Sequence, residues 1–335
     1  MNGTIRVESV PAPSLQGNPL GDPAARSIPV YLPPGYEGGR QRYPAVYFLH
    51  GFSGSGLGWI GQTAFTPNVP ERIDALIDQG AIPPFIAVFV DGWTRFGGSQ
   101  YVNSEASGRY RDYVARDVVG WADRTLRTLA RRESRAVVGK SSGGYGAFVM
   151  AAEETEVFAH VGAHAGDAYF EYCYLPDFPK AAGALLKAGG VQPWFEDFLT
   201  RTRATRLRGE DHPVINTVAM AAAYSPAPGR PLGLELPFEV ETGRLRDDVF
   251  ARWLERDPVR FIPARMEAVR TLKSFFVDCG TRDEFHLRWG ARMVVKALAG
   301  AGVPHLHEEF EDGHMGINYR YDRSLGYLVP RLAAS

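Results

Sequence analysis

The sequence predicts an α/β fold in which a mostly parallel central sheet carries helices on both faces. Short apolar runs typical of buried strands alternate with helical patterns, as expected of parallel strands joined by crossover helices. A serine flanked by glycines, Gly139-x-Ser141-x-Gly143, lies between a strand-like run and a helix-like run. The chain has 335 residues, enough to bury one large core, so we predict a single domain over residues 1–335.

The first half of the chain supplies most of the predicted sheet. Two strands, 4–10 and 27–32, are joined by a loop rich in Gly, Pro and Asn, which favours an antiparallel hairpin at the edge of the sheet. The apolar run 45–49 is typical of a buried parallel strand. The remaining predicted elements are a helix at 69–77, a strand at 85–90, a polar loop at 91–108, a helix at 110–129, a strand at 134–138, a helix at 143–153 and a strand at 158–161.

The segment 166–263 interrupts this alternation. It contains many aromatic residues, several prolines and short helical patterns. We interpret it as an insertion that caps the strand ends, with the alternative that it only extends the core and covers an edge of the sheet. The core pattern then resumes with strands at 274–277 and 305–310 and helices at 284–299 and 319–332.

Four polar residues stand where predicted strands end. Ligands of open parallel sheets bind at the carboxyl ends of the strands. His50, Asp91, Ser141 and His164 occupy such positions. We therefore expect them to share one rim of the sheet.

Ser141 is the predicted nucleophile of that rim. In a nucleophile elbow the serine sits in a strained strand-to-helix turn, and small residues two before and two after it let strand and helix cross closely. Gly139 and Gly143 have this spacing. Two alternatives stay open: Ser142 as the nucleophile, although its neighbours fit the spacing less well, and an ordinary glycine-rich turn.

A serine hydroxyl needs a base that takes its proton and a third group that orients the base. In one common type of serine hydrolase the order along the chain is nucleophile, acid, histidine. By that order the candidate base is His314, which lies on a glycine-flanked turn after the last predicted strand. Asp283 and Asp278 both follow the preceding strand and are the candidate acids. Asp278 could instead cap a turn.

Acyl transfer also needs donors for a tetrahedral oxyanion, commonly two backbone N–H groups. We predict that Ser142 supplies one and that Phe52, in the glycine-rich loop at 50–56, supplies the other. Around these donors, the residues predicted to contact a substrate are His50, Gly51, His164 and Tyr169.

The composition excludes several classes of partner. The formal net charge of −1 gives no reason to expect nucleic acid or an anionic membrane, and no apolar run is long enough to span a bilayer. The two cysteines, together with the lack of the apolar core of a secretory signal in the first fifteen residues, predict a cytoplasmic protein. His305 and His307 share one face of a strand, for which solvent is the preferred interpretation over a metal site. Whether the chain forms a homodimer stays open.

Several stretches resemble the esterase D-like branch of the α/β-hydrolases, which includes S-formylglutathione hydrolases, siderophore esterases and feruloyl esterases. The resemblance covers the core on both sides of the insertion. Its Gly-x-x-Asp motif falls on Gly280 to Asp283, which favours Asp283 over Asp278 as the acid. Lys140, directly before the nucleophile, departs from the pattern of many relatives. The stretches that carry the resemblance are 30–36, 43–51, 101–104, 108–110, the elbow, 280–283 and 313–314.

The resemblance implies an α/β-hydrolase fold and a serine hydrolase acting on a small-molecule carboxylic ester or thioester. It implies no metal and no organic cofactor. Two other functions remain as alternatives: an acyltransferase that passes the acyl group to an alcohol or sugar, and a non-catalytic binding protein. The insertion matches no subfamily, so the sequence leaves the acyl and alcohol groups of the substrate undefined.

Overall fold

The computed structural model describes residues 1–333 of the chain. Eight strands form one sheet and two short strands form a separate hairpin. The strands are β1 (Thr4–Pro11), β2 (Ala25–Leu32), β3 (Ala45–Leu49), β4 (Ile86–Val90), β5 (Asn103–Ser104), β6 (Gly108–Arg109), β7 (Arg135–Lys140), β8 (His160–His164), β9 (Ser274–Gly280) and β10 (His305–Phe310).

The large sheet has the order β1-β2-β4-β3-β7-β8-β9-β10. The β1–β2 and β2–β4 pairs are antiparallel, and every other pair is parallel. Leu49 is in register with both Val90 and Gly139, and His164 with Asp278. The parallel strands therefore end at similar heights, and the loops after them share one rim, as predicted.

Thirteen α-helices surround the sheet within residues 1–333. Shorter turns of 3₁₀-helix link several of them. The helices are α1 (Val69–Asp78), α2 (Tyr110–Asp112), α3 (Val119–Thr125), α4 (Ser142–Glu153), α5 (Phe170–Cys173), α6 (Phe178–Ala188), α7 (Val191–Ala204), α8 (Asp211–Tyr224), α9 (Asp247–Glu255), α10 (Pro258–Ala264), α11 (Met266–Val269), α12 (Leu287–Gly300) and α13 (Tyr321–Leu328).

Helices cover both faces of the sheet because its central strands are apolar on both sides. Along β3, Val46 and Phe48 contribute to one buried cluster, which also includes α13 through Leu325. Tyr47 and Leu49 contribute to the larger cluster on the opposite face. This two-sided burial is the reason that the strand sequence is continuously apolar rather than alternating.

Three elements differ from their predicted bounds. The helix predicted at 110–129 contains a π-helical segment, Tyr113–Val118, and stops at Thr125 because Leu126 is extended. The loop predicted at 91–108 contains β5 and joins β6. The helix predicted from residue 284 begins at Leu287, since the Asp283 side chain accepts hydrogen bonds from the first backbone N–H groups of this turn.

The segment predicted as an insertion lies between β8 and β9 and contains α5 to α10. Its aromatic side chains pack together, with Trp253 against Tyr174 and Tyr224. Asp257 joins the two ends of the segment, because its carboxylate accepts hydrogen bonds from the N–H groups of Tyr169 and Phe170. Within residues 1–333, no helix combines the length and the apolar character that crossing a membrane requires.

Candidate active site

Ser141 lies at the turn between β7 and α4 in a strained conformation. Its φ of 59° and ψ of −128° belong to a region that residues other than glycine rarely adopt. A Cβ on Gly139 would lie 2.3 Å from the Gly143 carbonyl oxygen, and one on Gly143 would lie 2.0 Å from the Leu49 carbonyl oxygen. The glycine spacing read in the sequence is therefore required by the close crossing of β7, α4 and β3.

Backbone hydrogen bonds hold this turn in place. The Ser141 N–H donates to the His164 carbonyl oxygen at 2.9 Å, and the Ser141 carbonyl accepts from the Tyr145 N–H at 2.8 Å. Ser142 is the first residue of α4, so its own N–H has no acceptor within the helix. The strain at Ser141 thus leaves its hydroxyl and the next N–H at the start of a helix.

His314 connects Ser141 to Asp283. Its Nε2 lies 3.0 Å from Ser141 Oγ, and its Nδ1 lies 2.7 Å from Asp283 Oδ2. The other oxygen of Asp283 accepts the N–H groups of Phe285 and Leu287, which fixes the carboxylate. The His314 N–H donates to Glu284 Oε2 at 2.7 Å. The structure therefore brings together the three residues predicted as nucleophile, base and acid.

A cavity of about 280 Å³ opens at this trio. Gly51, Phe52 and Ser142 line it, so the predicted oxyanion donors and one predicted substrate contact lie near the Ser141 hydroxyl. The segment between β8 and β9 supplies a second wall, which includes the ring of His212. The remaining lining residues are Ser53, Lys140, Asp167, Cys173, Tyr174, Asn216, Phe285, Leu287 and Met315.

Five ionisable groups on the cavity wall have shifted pKa values, each mainly because burial disfavours the charged form. Burial raises the pKa of the Cys173 thiol and of the Tyr174 hydroxyl. Burial lowers the pKa of the Lys140 ammonium, against the attraction of Asp283 and Asp167. Burial raises the pKa of Asp167, against hydrogen bonds from Tyr174 and other donors. Burial likewise lowers the pKa of His212. The wall therefore favours neutral forms wherever no partner compensates the charge.

His164 and Asp278 belong to a second, fully buried serine–histidine–aspartate chain. His164 Nδ1 lies 2.7 Å from Asp278 Oδ1, and its Nε2 lies 2.8 Å from Ser324 Oγ. Asp278 Oδ2 accepts from Arg320 Nε at 2.8 Å. The position of His164 differs from the predicted one: its side chain is 1% exposed and lies away from the cavity. Asp278, the alternative acid, pairs with His164 rather than with His314.

His50 and Tyr169 also lie away from the cavity. The His50 ring supports two loops, since its Nε2 accepts from the Gly92 N–H at 2.9 Å and its Nδ1 lies 2.8 Å from the Gly51 carbonyl oxygen. Burial lowers the pKa of His50, which agrees with a neutral ring that accepts at one nitrogen. Tyr169 lines a separate surface groove with Tyr172 and Trp289. Neither side chain is placed to contact a substrate bound at Ser141.

The sequence reasoning missed several residues of the cavity wall. Asp167 accepts hydrogen bonds from Tyr174 at 2.9 Å and from Gln100 at 3.1 Å, and it lies 3.3 Å from Ser142 Oγ. Its position three residues after the end of β8 was a usable signal. His212 and Asn216 are one turn apart on α8, where nothing in the local sequence pointed to the strand ends.

The chain resembles known esterases in sequence and in fold. A family model described as "Putative esterase" matches residues 23–316. A solved ferulic acid esterase covers 99% of this chain and 100% of its own, with a TM-score of 0.63 and 17% identity. An S-formylglutathione hydrolase from Agrobacterium tumefaciens covers 99% of this chain and 96% of its own, with a TM-score of 0.59 and 16% identity. At these identities the structures show the fold alone.

Curated relatives match part of their own length. A protein named endo-1,4-beta-xylanase/feruloyl esterase, from Xylanibacter ruminicola, is 29% identical over 147 residues, which is 42% of this chain and 19% of that protein. An esterase from Mycobacterium tuberculosis is 28% identical over 166 residues, which is 49% of this chain and 34% of that protein. The family model, in contrast, spans most of the chain. This chain therefore belongs to the esterase family that the model describes, and its fold is the α/β-hydrolase fold.

Proposed function

We propose that this chain hydrolyses carboxylic esters or thioesters through an acyl-enzyme formed on Ser141. The observation that carries the proposal is the continuous hydrogen-bonded chain from Ser141 Oγ through His314 to Asp283 at the mouth of a cavity. Such a chain is what activates a serine hydroxyl in acyl transfer. Membership in the esterase family and the fold of the solved esterases support the same reaction.

In the first half of the reaction, Ser141 Oγ attacks the ester carbonyl carbon while His314 Nε2 takes the hydroxyl proton. Asp283 holds the opposite ring nitrogen and stabilises the imidazolium that forms. Collapse of the tetrahedral intermediate breaks the bond to the leaving alcohol or thiol. His314 returns the proton to that leaving group, and the acyl group remains bonded to Ser141.

The oxyanion of each intermediate is assigned to the N–H groups of Phe52 and Ser142. Both residues line the cavity beside Ser141. Ser142 opens α4, where an N–H has no helical acceptor. Within residues 1–333, the Phe52 N–H donates no hydrogen bond. Two such donors, aimed where negative charge develops, lower the barrier because they need no reorganisation during the reaction.

The second half of the reaction repeats these steps with water. His314 takes a proton from the water, and the oxygen attacks the acyl carbon of the acyl-enzyme. The second tetrahedral intermediate releases the carboxylic acid, and the Ser141 hydroxyl regains its proton from His314. An alcohol in place of water would give a transferase, which product analysis with added alcohols distinguishes.

The test of this function is Ser141→Ala. We expect the loss of one nucleophile to lower kcat for a p-nitrophenyl ester by about a thousandfold or more. Intact-mass spectrometry after treatment with a fluorophosphonate should show one adduct on the wild type and none on the variant. The matched control is Ser324→Ala, which removes the serine of the buried chain and should keep both activity and adduct. Undiminished hydrolysis by Ser141→Ala would contradict the proposal.

We further propose that residues 166–263 form a cap that selects the substrate. Five side chains from this segment line the cavity, namely Asp167, Cys173, Tyr174, His212 and Asn216. The loops after the strands supply Ser141, His314 and the proposed oxyanion donors, whereas this segment supplies five of the fifteen residues that line the cavity. A wall built by one continuous stretch can change the fit of an acyl or alcohol group without displacing Ser141.

Tyr174 and Tyr169 give a matched test of the cap. Tyr174 lines the Ser141 cavity and Tyr169 lines another groove. We expect Tyr174→Ala to change the ratio of kcat/KM between an acetate and an aromatic acyl ester by about tenfold, since a pocket contact discriminates by a few kcal/mol at most. Tyr169→Ala should leave the ratio unchanged. If both variants are folded by circular dichroism and both keep the wild-type ratio, the segment does not select the substrate and has a structural role only.

A further inference from the structure

Lys140 is a cationic group in the cavity that the proposed reaction does not use. It is the last residue of β7 and directly precedes Ser141. Its side chain is half-buried and lines the cavity. Within residues 1–333, no carboxylate oxygen lies within 4.0 Å of its ammonium nitrogen. The cavity therefore contains a lysine whose charge has no direct partner.

The acidic groups nearest to Lys140 already have other partners. Asp283 accepts from His314 and two backbone N–H groups. Glu284 accepts the His314 N–H. Asp167 accepts from Tyr174 and Gln100, and burial raises its pKa. These carboxylates attract Lys140 from a distance but do not remove the cost of holding an ammonium group in a partly buried site.

A half-buried ammonium costs free energy unless a charged or strongly polar group compensates it. Burial lowers the pKa of Lys140, which is the sign of incomplete compensation. The direction open to Lys140 is the cavity, where the substrate of Ser141 would lie. An anionic group on that substrate would complete the pair through a charge-assisted hydrogen bond.

We infer that Lys140 binds a carboxylate carried by the ester substrate, so that the preferred substrates of this chain are anionic esters. The inference rests on the proposed hydrolysis at Ser141 and specifies the substrate class of that site. The carboxylate belongs to the acyl part or to the alcohol part of the ester. Both positions give Lys140 the same partner, and the experiment separates them.

Two pairs of esters test the position of the charge. For the acyl part, p-nitrophenyl hexanoate is compared with the p-nitrophenyl monoester of adipic acid, in which a carboxylate replaces the terminal methyl group. For the alcohol part, meta-tolyl butyrate is compared with meta-carboxyphenyl butyrate. We expect the wild type to prefer the anionic member of one pair by kcat/KM. A preference for the neutral member of both pairs would overturn the inference.

Lys140→Met removes the charge at nearly constant side-chain volume. We expect it to reduce the preferred anionic-to-neutral ratio of kcat/KM by about 10- to 100-fold, the value of a hydrogen bond to a charged group. The loss should appear mainly in KM, because the contact is present before and during the reaction. Lys140→Arg, which keeps the charge, should retain much of the preference. The control is Lys187→Met, which removes an exposed lysine of α6 outside the cavity and should change nothing.

Lys140 could instead only balance the charges of Asp283 and Asp167. In that case Lys140→Met would change kcat/KM for both members of each pair by the same factor, and the inference would be wrong.

A pH series adds a second readout. Above the lowered pKa of Lys140 the ammonium is neutral, so the preference for the anionic ester should disappear at high pH. If Ser141→Ala retains hydrolysis, the proposed function fails. If hydrolysis requires Ser141 but the ratio does not respond to Lys140, only this inference fails.

Discussion

The molecule contains two serine–histidine–aspartate chains with almost the same hydrogen-bond distances and very different surroundings. In the first, His314 lies 3.0 Å from Ser141 and 2.7 Å from Asp283. In the second, His164 lies 2.8 Å from Ser324 and 2.7 Å from Asp278. Hydrogen-bond geometry alone therefore does not distinguish the two.

What separates them is the environment of the serine. Ser141 has a strained backbone, opens onto a cavity and is followed by a free helical N–H. Ser324 lies inside α13, is fully buried, and its hydroxyl also donates to the Tyr321 carbonyl at 3.2 Å. Because Ser324 is fully buried and lines no described cavity, a substrate carbonyl has no route to its hydroxyl. A serine–histidine–aspartate chain becomes a candidate for catalysis only with access and with donors for the oxyanion.

The largest expected difference between the chains concerns their acids. Asp283→Asn should lower kcat by about ten-thousandfold, because the amide favours the wrong tautomer of the histidine that serves Ser141. Asp278→Asn should instead lower the free energy of unfolding by about 3 kcal/mol, since it removes the buried negative charge that pairs with Arg320 and leaves only the less buried Glu308 as its anionic partner. Urea unfolding and initial rates on the folded fraction measure the two effects separately.

The stability of Asp283→Asn serves as the control for that comparison. Loss of activity in this variant must occur without loss of the folded state. The assignment of the two acids is wrong if Asp278→Asn is inactive while fully folded and Asp283→Asn hydrolyses esters at the wild-type rate. The acid would then be Asp278, and the family motif that favours Asp283 would not apply to this chain.

A smaller expected effect concerns the pH dependence of stability, which should differ between a buried carboxylate that pairs with a cation and one that does not. Asp278 contacts Arg320, whereas Asp167 accepts hydrogen bonds only from neutral groups. Burial raises the pKa of Asp167, so the native state binds more protons than the unfolded state above the ordinary pKa of 3.8. Stability therefore falls as the pH rises through that window towards the raised value. Asp167→Asn removes this dependence.

We expect the difference in Tm between Asp167→Asn and the wild type to shift in favour of the variant from about pH 4 to about pH 7. Calorimetry at several pH values measures it. Tyr174→Phe, which removes one donor to Asp167 and keeps the carboxylate, is the matched control and should retain the pH dependence. A constant difference in Tm would mean that folding does not raise the pKa of Asp167.

The fold and the elbow were accessible from the sequence because each depends on local patterns. Continuous apolar strands followed by glycine turns predicted the parallel sheet, and the α/β-hydrolase fold is confirmed. The spacing of Gly139 and Gly143 around Ser141 reflects steric contacts with β3 and α4. His314 and Asp283 are distant in sequence, but both follow strands of one sheet, so topology placed them on one rim.

The cavity wall was less accessible because it depends on packing between distant segments. His164 ends a strand on the predicted rim. Its ring, however, lies on the face of the sheet that α13 covers, where it contacts Asp278 and Ser324. Strand position fixes where a residue lies along the sheet but not which face its side chain takes when neither face is exposed. His212 and Asn216 reach the cavity only through the way α8 packs, and no periodicity in the sequence encodes that direction.

The close crossing at Gly143 divides the site into a part that cannot be altered and a part that can. A side chain there would meet the Leu49 carbonyl oxygen at 2.0 Å, so β3, β7 and α4 cannot move apart without losing the turn at Ser141. For an engineer, the turn that carries Ser141 is therefore a part of the structure to keep unchanged. Tyr174, His212 and Asn216 carry no comparable backbone constraint, which makes the segment between β8 and β9 the natural place to diversify residues when a new ester specificity is sought.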